Sequence, residues 1–298
     1  MIASNLPKTK KSVGRIALNI FALVFTLAPV YLLAQTAWGY VAVTTGAFIA
    51  AGDNKTIAEH KVSSNDVKIF REPIVSVTFD DGWRSAATSA APILAVHNIA
   101  TTQYIITDKI GQPGYMTIDQ LRAMKAAGHE IASHSTSHIP LKSASGQVLD
   151  TELKKSKAVL LKNNLIDPKS THFSFPYGSY STHAVEVGQS EYATLRNSNG
   201  NPADGIDARD VNIKEAFKAG YVIGYGVDVT TKLSDVQAAI AYAKSHNGWL
   251  VLIFHQIDDT LNEYSVSPQM FKDILTAIDD AGIKTATIND SYASLEKN

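Results

Sequence analysis

From residue 74 onward, short runs rich in β-branched and aromatic residues alternate with longer stretches of helical periodicity. Of all the features of the sequence, this alternation constrains the fold most. The runs predict strands at 74–79, 100–106, 130–133, 171–175, 221–227, 249–254 and 283–287. The stretches between them predict helices at 85–97, 117–127, 149–163, 234–246 and 268–281. Strands alternating with helices are typical of a mainly parallel sheet with helices outside it, either a closed barrel or an open sheet.

Polar side chains follow five of these predicted strands at their carboxyl ends. In chain order they are Asp80 and Asp81, His134 and His138, Tyr177, Asp228, and His255. In a parallel barrel the carboxyl ends of the strands meet at one rim, where catalytic groups are found. We therefore expect these side chains to converge on a single site.

Composition limits what this site could be. The chain has 27 basic and 28 acidic residues, and this balance gives no reason to propose nucleic acid as a partner. It has no cysteine, so a metal ion would have to be held by His, Asp or Glu. His134 and His138 are four residues apart, and on one helical turn they would share a face and reach one ion. Two surface histidines would give the same spacing.

The Asp80-Asp81-Gly82 and Pro176-Tyr177-Gly178 segments each follow a predicted strand. Neighbouring side chains in extended backbone point in different directions, so one aspartate could bind a metal while the other faces substrate. An isolated Asp-Asp-Gly is more often a solvated turn. In the second segment, the backbone N–H of Tyr177 could point into the site as an oxyanion donor.

The N-terminus carries a membrane or export signal. Lys8, Lys10, Lys11 and Arg15 precede an uncharged run at 16–34, which is long enough to cross a bilayer core of about 20 apolar residues. The basic flank favours a cytoplasmic N-terminus, so an anchor or a cleaved signal would leave the rest of the chain outside the cytoplasm. We predict a basic flank and transmembrane or signal segment at 1–36, a stalk at 37–72 and a catalytic domain at 73–298.

Four segments together resemble the polysaccharide deacetylases of carbohydrate esterase family 4, whose shared region is the NodB homology domain. Thr78–Gly82 is similar to the first family motif, T-F-D-D-G, and His134–His138 to the second, H-[ST]-x-x-H. Pro176–Gly178 is similar to the end of the third, R-x-P-Y-G, and Leu252–His255 to the fifth. The resemblance covers roughly residues 74–295.

This resemblance implies a distorted (β/α) barrel, with the hydrophobic helix before it. It implies a divalent metal ion, usually zinc and sometimes cobalt or another ion, bound by Asp81, His134 and His138. It further implies that Asp80 is the general base and His255 the general acid.

The resemblance also implies that the N–H of Tyr177 holds the oxyanion. The expected substrate is an acetylated amino-sugar polysaccharide such as peptidoglycan, a chitin-like chain or poly-N-acetylglucosamine, and the expected enzyme is a monomer. Removal of O-acetyl groups from a xylan-type glycan is one alternative. An inactive carbohydrate-binding protein on the same scaffold is another.

The chain departs from the family pattern at two motifs. Ser174 stands where the third motif often has an Arg that pairs with the catalytic base, and we hypothesise that Arg196 replaces that residue beside Asp80. The fourth motif has Asp228 without its usual Trp, and we expect Asp228 to orient His255. Trp83, after the first motif, could stack on a sugar ring or cap the barrel wall.

Overall fold

The computed structural model describes residues 68–169, 171–198, 211–212 and 220–297. The predicted membrane or signal segment at 1–36 and residues 37–67 of the predicted stalk lie outside these ranges. Within them, no helix combines the length and the apolar character that crossing a membrane requires.

Short strands alternate with helices along the described chain. The strands are β1 (Lys68–Ile69), β2 (Ile74–Phe79), β3 (Thr102–Ile105), β4 (Glu130–Ser133), β5 (His172–Ser174), β6 (Thr194–Ser198), β7 (Val211–Asn212), β8 (Tyr221–Gly226), β9 (Trp249–Phe254), β10 (Gln256–Ile257), β11 (Ser265–Val266), β12 (Lys284–Thr285) and β13 (Glu296–Lys297). The helices are α1 (Ala91–His97), α2 (Ile118–Ala126), α3 (Gly146–Leu149), α4 (Ser156–Lys162), α5 (Thr182–Glu191), α6 (Leu233–Ser245), α7 (Pro268–Ala281) and α8 (Ile288–Ala293). Turns of π-helix precede α1 and α4, at Ala86–Ala90 and Asp150–Lys155.

Seven parallel strands of the described chain close into a barrel in the order β2-β3-β4-β5-β6-β8-β9, with β9 pairing back onto β2. The β2–β9 pairing is the longest and matches all six residues of each strand, from Ile74 opposite Trp249 to Phe79 opposite Phe254. The fold is therefore a (β/α) barrel. The choice between a barrel and an open sheet, which the strand order left open, is settled by this closure.

Alternation along β2 sets what faces the barrel interior. Val75, Val77 and Phe79 lie in the core between the sheet and the outer helices. Ser76 and Thr78 point the other way, and Thr78 donates a hydrogen bond to the carbonyl of Leu252 at 2.9 Å. Because side chains alternate along a strand, the next residue of the inward set is Asp80.

The two ends of the barrel differ. At the amino-terminal end, α8 closes the interior: its Ser291 hydroxyl lies 3.1 Å from that of Ser76, and the backbone N–H of Ile288 donates to Thr102. Phe70 packs edge-on against Trp249 at the same end, with ring centroids 5.5 Å apart. The carboxyl-terminal end is where the predicted functional residues follow their strands.

Most predicted elements are confirmed, and three assignments need correction. One of the seven barrel strands, β6 (Thr194–Ser198), was not predicted from the sequence. The predicted strand at 283–287 shrinks to Lys284–Thr285, which adds to the side of β2. Residues 68–72 belong to the folded domain rather than to the stalk, since β1 pairs with β13 and Phe70 is buried.

Candidate active site

The end of β2 turns sharply and separates the two aspartates. The N–H of Asp80 still bonds to the carbonyl of Phe254 at 2.8 Å, so Asp80 keeps its inward direction. Asp81 and Gly82 then adopt left-handed backbone, with φ of 72° and 82°. A non-glycine residue with positive φ is uncommon and is frequently functional. The turn directs Asp81 away from Asp80 and toward the histidine loop.

His134 and His138 are brought together by a loop, so the expectation of a shared helical face is wrong. Residues 134–138 follow β4 without helix, and Ser135 and His138 have φ of 67° and 65°. The buried carboxylate of Glu152 accepts the backbone N–H groups of Thr136 and Ser137 at 3.1 and 2.8 Å. Glu152, which belongs to none of the sequence motifs, therefore holds the loop in place.

Asp81 and the two histidines have the geometry of a metal site. Asp81 Oδ1 lies 3.5 Å from His134 Nε2 and 3.3 Å from His138 Nε2, and the three candidate ligand atoms lie within 4.8 Å of one another. Two atoms bound tetrahedrally to zinc at about 2.0–2.2 Å are roughly 3.3–3.6 Å apart. Asp81 Oδ1 is buried and has no hydrogen-bond partner among the described residues, so these residues fit a divalent ion.

The histidines are prepared as ligands. His134 Nδ1 lies 2.9 Å from the carbonyl oxygen of Ser174, which can only accept, so Nδ1 donates there and Nε2 is the nitrogen that faces Asp81. Burial and the neighbouring His134 lower the pKa of His138 to about 4. His138 is therefore neutral near pH 7, as a metal ligand must be.

Arg196 lies beside Asp80, as hypothesised. Its Nη2 donates to both carboxylate oxygens of Asp80 at 2.5 Å and also to the hydroxyl of Ser174. Ser174 and Arg196 are direct partners in the β5–β6 register. Arg196 therefore reaches Asp80 from the strand next to Ser174, at the same level of the barrel.

The barrel interior makes room for this guanidinium. Arg196 is 1% exposed and lies over the ring of Tyr104, with its Cζ 4.8 Å from the ring centroid. A Cβ added at Gly224 would lie 2.6 Å from Ile253 Cδ1 and 3.3 Å from Arg196 Cδ, so glycine is needed there. Burial alone would raise the pKa of Asp80, but Arg196 and the imidazoles of His134 and His255 outweigh it and hold the pKa at about 2.

Tyr177 lies in the turn that follows β5, next to the histidine loop. Its φ is 58°, its side chain is 65% exposed, and its ring centroid lies 4.5 Å from that of His138. The turn is closed by the N–H groups of Gly178 and Ser179, so neither of these bonds uses the N–H of Tyr177. A Cβ at Gly178 would meet the Ser198 hydroxyl at 2.8 Å, which explains the glycine.

His255 directly follows β9, and Asp80 directly follows β2, the strand that pairs with β9. Burial lowers the pKa of His255, while the carboxylates of Asp80 and Asp81 act to raise it. Its Nδ1 has no hydrogen-bond partner among the described residues. The ring of Tyr264, which is half-exposed, packs on the imidazole with centroids 5.0 Å apart.

Asp228 makes no hydrogen bond to His255 among the described residues, so the expectation that it orients His255 is wrong. Its Oδ1 instead accepts bonds from the backbone and hydroxyl of both Thr230 and Thr231, which closes a local turn. The next residue, Val229, donates its N–H to the carbonyl of Glu263. Asp228 therefore stabilises a turn that supports the loop carrying Tyr264.

Two contributors were missed by sequence reasoning. Glu152 lies within a lysine-rich helix, where an acid reads as a solvated surface residue, and only its burial shows otherwise. Tyr264 belongs to a loop without any motif. Glu152 could have been suspected only because the His134–His138 loop needs an acceptor for its backbone N–H groups.

Part of the chain is similar in sequence to polysaccharide deacetylases. The sequence model for polysaccharide deacetylases matches residues 68–193. A Bacillus subtilis (strain 168) protein with the name "Putative polysaccharide deacetylase YxkH" is 28% identical over 118 residues, or 40% of this chain. The chain spans 42% of that relative's length.

Solved structures share the fold at low sequence identity. The Bc1960 peptidoglycan N-acetylglucosamine deacetylase has a TM-score of 0.53 and 14% identity, over 78% of this chain and 93% of that one. The Xyl-CE4 domain of a multidomain xylanase, from the hindgut metagenome of Trinervitermes trinervoides, has a TM-score of 0.51 and 17% identity, over 74% and 90%. At these identities the likeness concerns the fold alone.

Proposed function

The chain belongs to the polysaccharide deacetylase family, and from that membership we propose that it is a metal-dependent hydrolase that removes N-acetyl groups from an amino-sugar polysaccharide. The observation that carries the proposal is the unpartnered Asp81 Oδ1, which faces Nε2 of both His134 and His138. We propose Zn²⁺ as the ion, because two imidazoles and one carboxylate suit zinc and leave positions open for water and substrate. The basic flank and apolar run at the N-terminus support a site of action outside the cytoplasm.

The chain's own groups divide the work of amide hydrolysis. When bound, the ion would lower the pKa of the attacking water and polarise the acetyl carbonyl, which a carboxylate as weakly basic as Asp80 requires. Asp80 stays ionised and accepts the proton of that water, with Arg196 fixing both of its oxygens.

Charge that develops on the acetyl oxygen needs a donor in place beforehand. The N–H of Tyr177 fills this role in the proposal, and loss of one such donor typically costs about 100- to 1,000-fold in rate. His255 then protonates the sugar nitrogen, because an amide anion is too basic to leave. Burial lowers the pKa of His255, and the carboxylates of Asp80 and Asp81 act in the opposite direction, in favour of the protonated imidazole that this step needs.

The rim of the site suits a sugar chain. Four of the large apolar side chains exposed in the described residues are Tyr177, Val229, Leu261 and Tyr264. Tyr177 and Tyr264 pack on His138 and His255, so the exposed aromatic faces flank the reacting centre. Exposed apolar groups beside a polar site mark ligand-binding surfaces, and the apolar faces of pyranose rings would match them.

Acetate release from a substrate panel tests this function. N-acetylated chito-oligomers and peptidoglycan should release acetate, and Asp80→Asn should abolish the release. Greater turnover of acetylxylan would favour the O-acetyl esterase alternative. No release from any acetylated glycan, by a protein that binds zinc, would favour the carbohydrate-binding alternative.

A further inference from the structure

Trp83 holds one oxygen of a proposed metal ligand. It is half-buried directly after the Asp81-Gly82 turn, and its indole Nε1 donates to Asp81 Oδ2 at 2.9 Å. The other oxygen, Oδ1, faces His134 and His138 and has no hydrogen-bond partner among the described residues. The indole thus engages one carboxylate oxygen and leaves the other directed at the ion.

Such a contact matters because the carboxylate is otherwise free to rotate. The terminal torsion of an aspartate is broad and roughly two-fold, so either oxygen, or both, could face the histidines. A hydrogen bond to the outer oxygen selects one orientation. Partners of this kind fix metal ligands before the ion arrives, and their loss typically costs about 10- to 100-fold in metal affinity or activity.

The indole is itself held in place. Its ring stacks on Tyr115 with centroids 4.5 Å apart and planes at 20°. The backbones of Trp83 and Tyr115 form an antiparallel bridge, flanked by bonds from Met116 N–H to Gly82 and from Arg84 N–H to Gly114 at 2.9 and 2.8 Å. One ring face and the polar edge of Trp83 are therefore both occupied within the protein.

We propose that Trp83 is a positioning residue that presets the Asp81 carboxylate for metal binding. This inference rests on the proposed function, because it takes Asp81, His134 and His138 as the ligands. It assigns Trp83 to the metal site rather than to sugar stacking. Trp83 acts through its hydrogen bond to Asp81.

The test is the zinc affinity of the full-length metal-free protein, measured by competition with a chromophoric chelator. Trp83→Phe keeps an aromatic ring next to Tyr115 and removes the N–H donor to Asp81, and it should weaken zinc binding by about 10- to 100-fold. The absorption spectrum of the Co²⁺-loaded variant should also differ from that of the unmodified protein. With the substrate, kcat should fall at saturating zinc while KM for the glycan stays the same.

Trp249→Phe is the matched control. Trp249 also donates one indole hydrogen bond, to the Ser76 hydroxyl at 2.9 Å, at the other end of the barrel. It should lower the thermal midpoint of the metal-free protein and leave zinc affinity unchanged. Equal zinc affinity and cobalt spectra for Trp83→Phe and the unmodified protein would overturn the inference alone. A raised KM with unchanged zinc affinity would do the same and indicate sugar stacking, whereas an unmodified protein that binds no zinc would refute the proposed function.

Discussion

Replacing Arg196 with Met isolates the interaction between Arg196 and Asp80, the proposed general base. Met keeps an unbranched apolar stem under Tyr104 and removes the guanidinium. Arg196 is 1% exposed and Asp80 is 6% exposed, so the pair is almost fully desolvated. Removing one partner of a buried ion pair typically costs about 3–5 kcal/mol, because the remaining charge has lost its compensation.

The same change acts on protonation. The pKa of Asp80 is held at about 2 against burial, and Arg196 is the main group that lowers it. Without the guanidinium, burial prevails and the pKa of Asp80 rises. The acidic limb of kcat/KM should therefore move to higher pH, since Asp80 must be ionised to accept a proton.

Urea unfolding of the metal-free protein measures the stability term, and a double-mutant cycle with Asp80→Asn separates the pair from other losses. Asp80→Asn removes the charge that Arg196 compensates, so Arg196→Met should cost less in that background, with a coupling of about 0.5–3 kcal/mol. The exchange variant Ser174→Arg with Arg196→Ser should recover part of the stability, because the two positions are register partners. A cost below about 1 kcal/mol for Arg196→Met, additive with Asp80→Asn, would refute the reasoning.

Three further predictions follow from the same geometry. The folded pKa of Asp80 is depressed from 3.8 to about 2, so its contribution of about 2 kcal/mol is complete above pH 4 and is lost as pH falls toward 2; acid unfolding of Asp80→Asn should lack that component. Glu152→Ala leaves the N–H groups under the histidine loop without their acceptor and should cost about 1–3 kcal/mol and weaken zinc binding, whereas Glu152→Gln, which keeps a carbonyl acceptor, should bind zinc nearly normally by the same titration. Gly224→Ala forces a methyl group against Ile253 and Arg196 and should cost about 1–3 kcal/mol in urea unfolding; a neutral result would mean that the guanidinium is not confined as described.

Most of the fold could be predicted from the strand pattern, because strands that are buried on both faces appear as continuous apolar runs. Trp249–Phe254 is apolar throughout, and Ile74–Phe79 is apolar or β-branched except at Ser76, as is typical of parallel strands that are buried on both faces. β6 escaped notice for the opposite reason. Its residues Thr194–Ser198 include Arg196 and Asn197, which read as surface although both are 1% exposed.

The candidate site was predictable where chemistry depends on residue type and strand position. Asp81, His134 and His138 follow β2 and β4, and parallel strands bring such ends together. The reason given for the histidine pair was nevertheless wrong, because spacing of four residues fits a helix and also fits a loop with two left-handed residues. Backbone φ values of that kind have no signature in serine or histidine.

Interactions that cross the fold were the least predictable. Arg196 could be proposed as the partner of Asp80 only because Ser174 left the Asp80 charge without a cation. Its pairing opposite Ser174 on the neighbouring strand is known only from the structure. Asp228 shows the reverse: it was expected to orient His255, but it closes its own turn with Thr230 and Thr231. Short polar side chains often bond to nearby backbone first, and sequence alone does not distinguish that use from a catalytic one.

Metal dependence of acetate release tests the central claim most directly. The full-length protein would be assayed on N-acetylated chito-oligomers before metal removal, after complete removal with a chelator, and after addition of Zn²⁺. The arrangement of Asp81, His134 and His138 predicts that release stops without metal and returns with zinc, and that Asp81→Asn does not recover. Acetate release that persists undiminished after all metal has been removed would contradict the account.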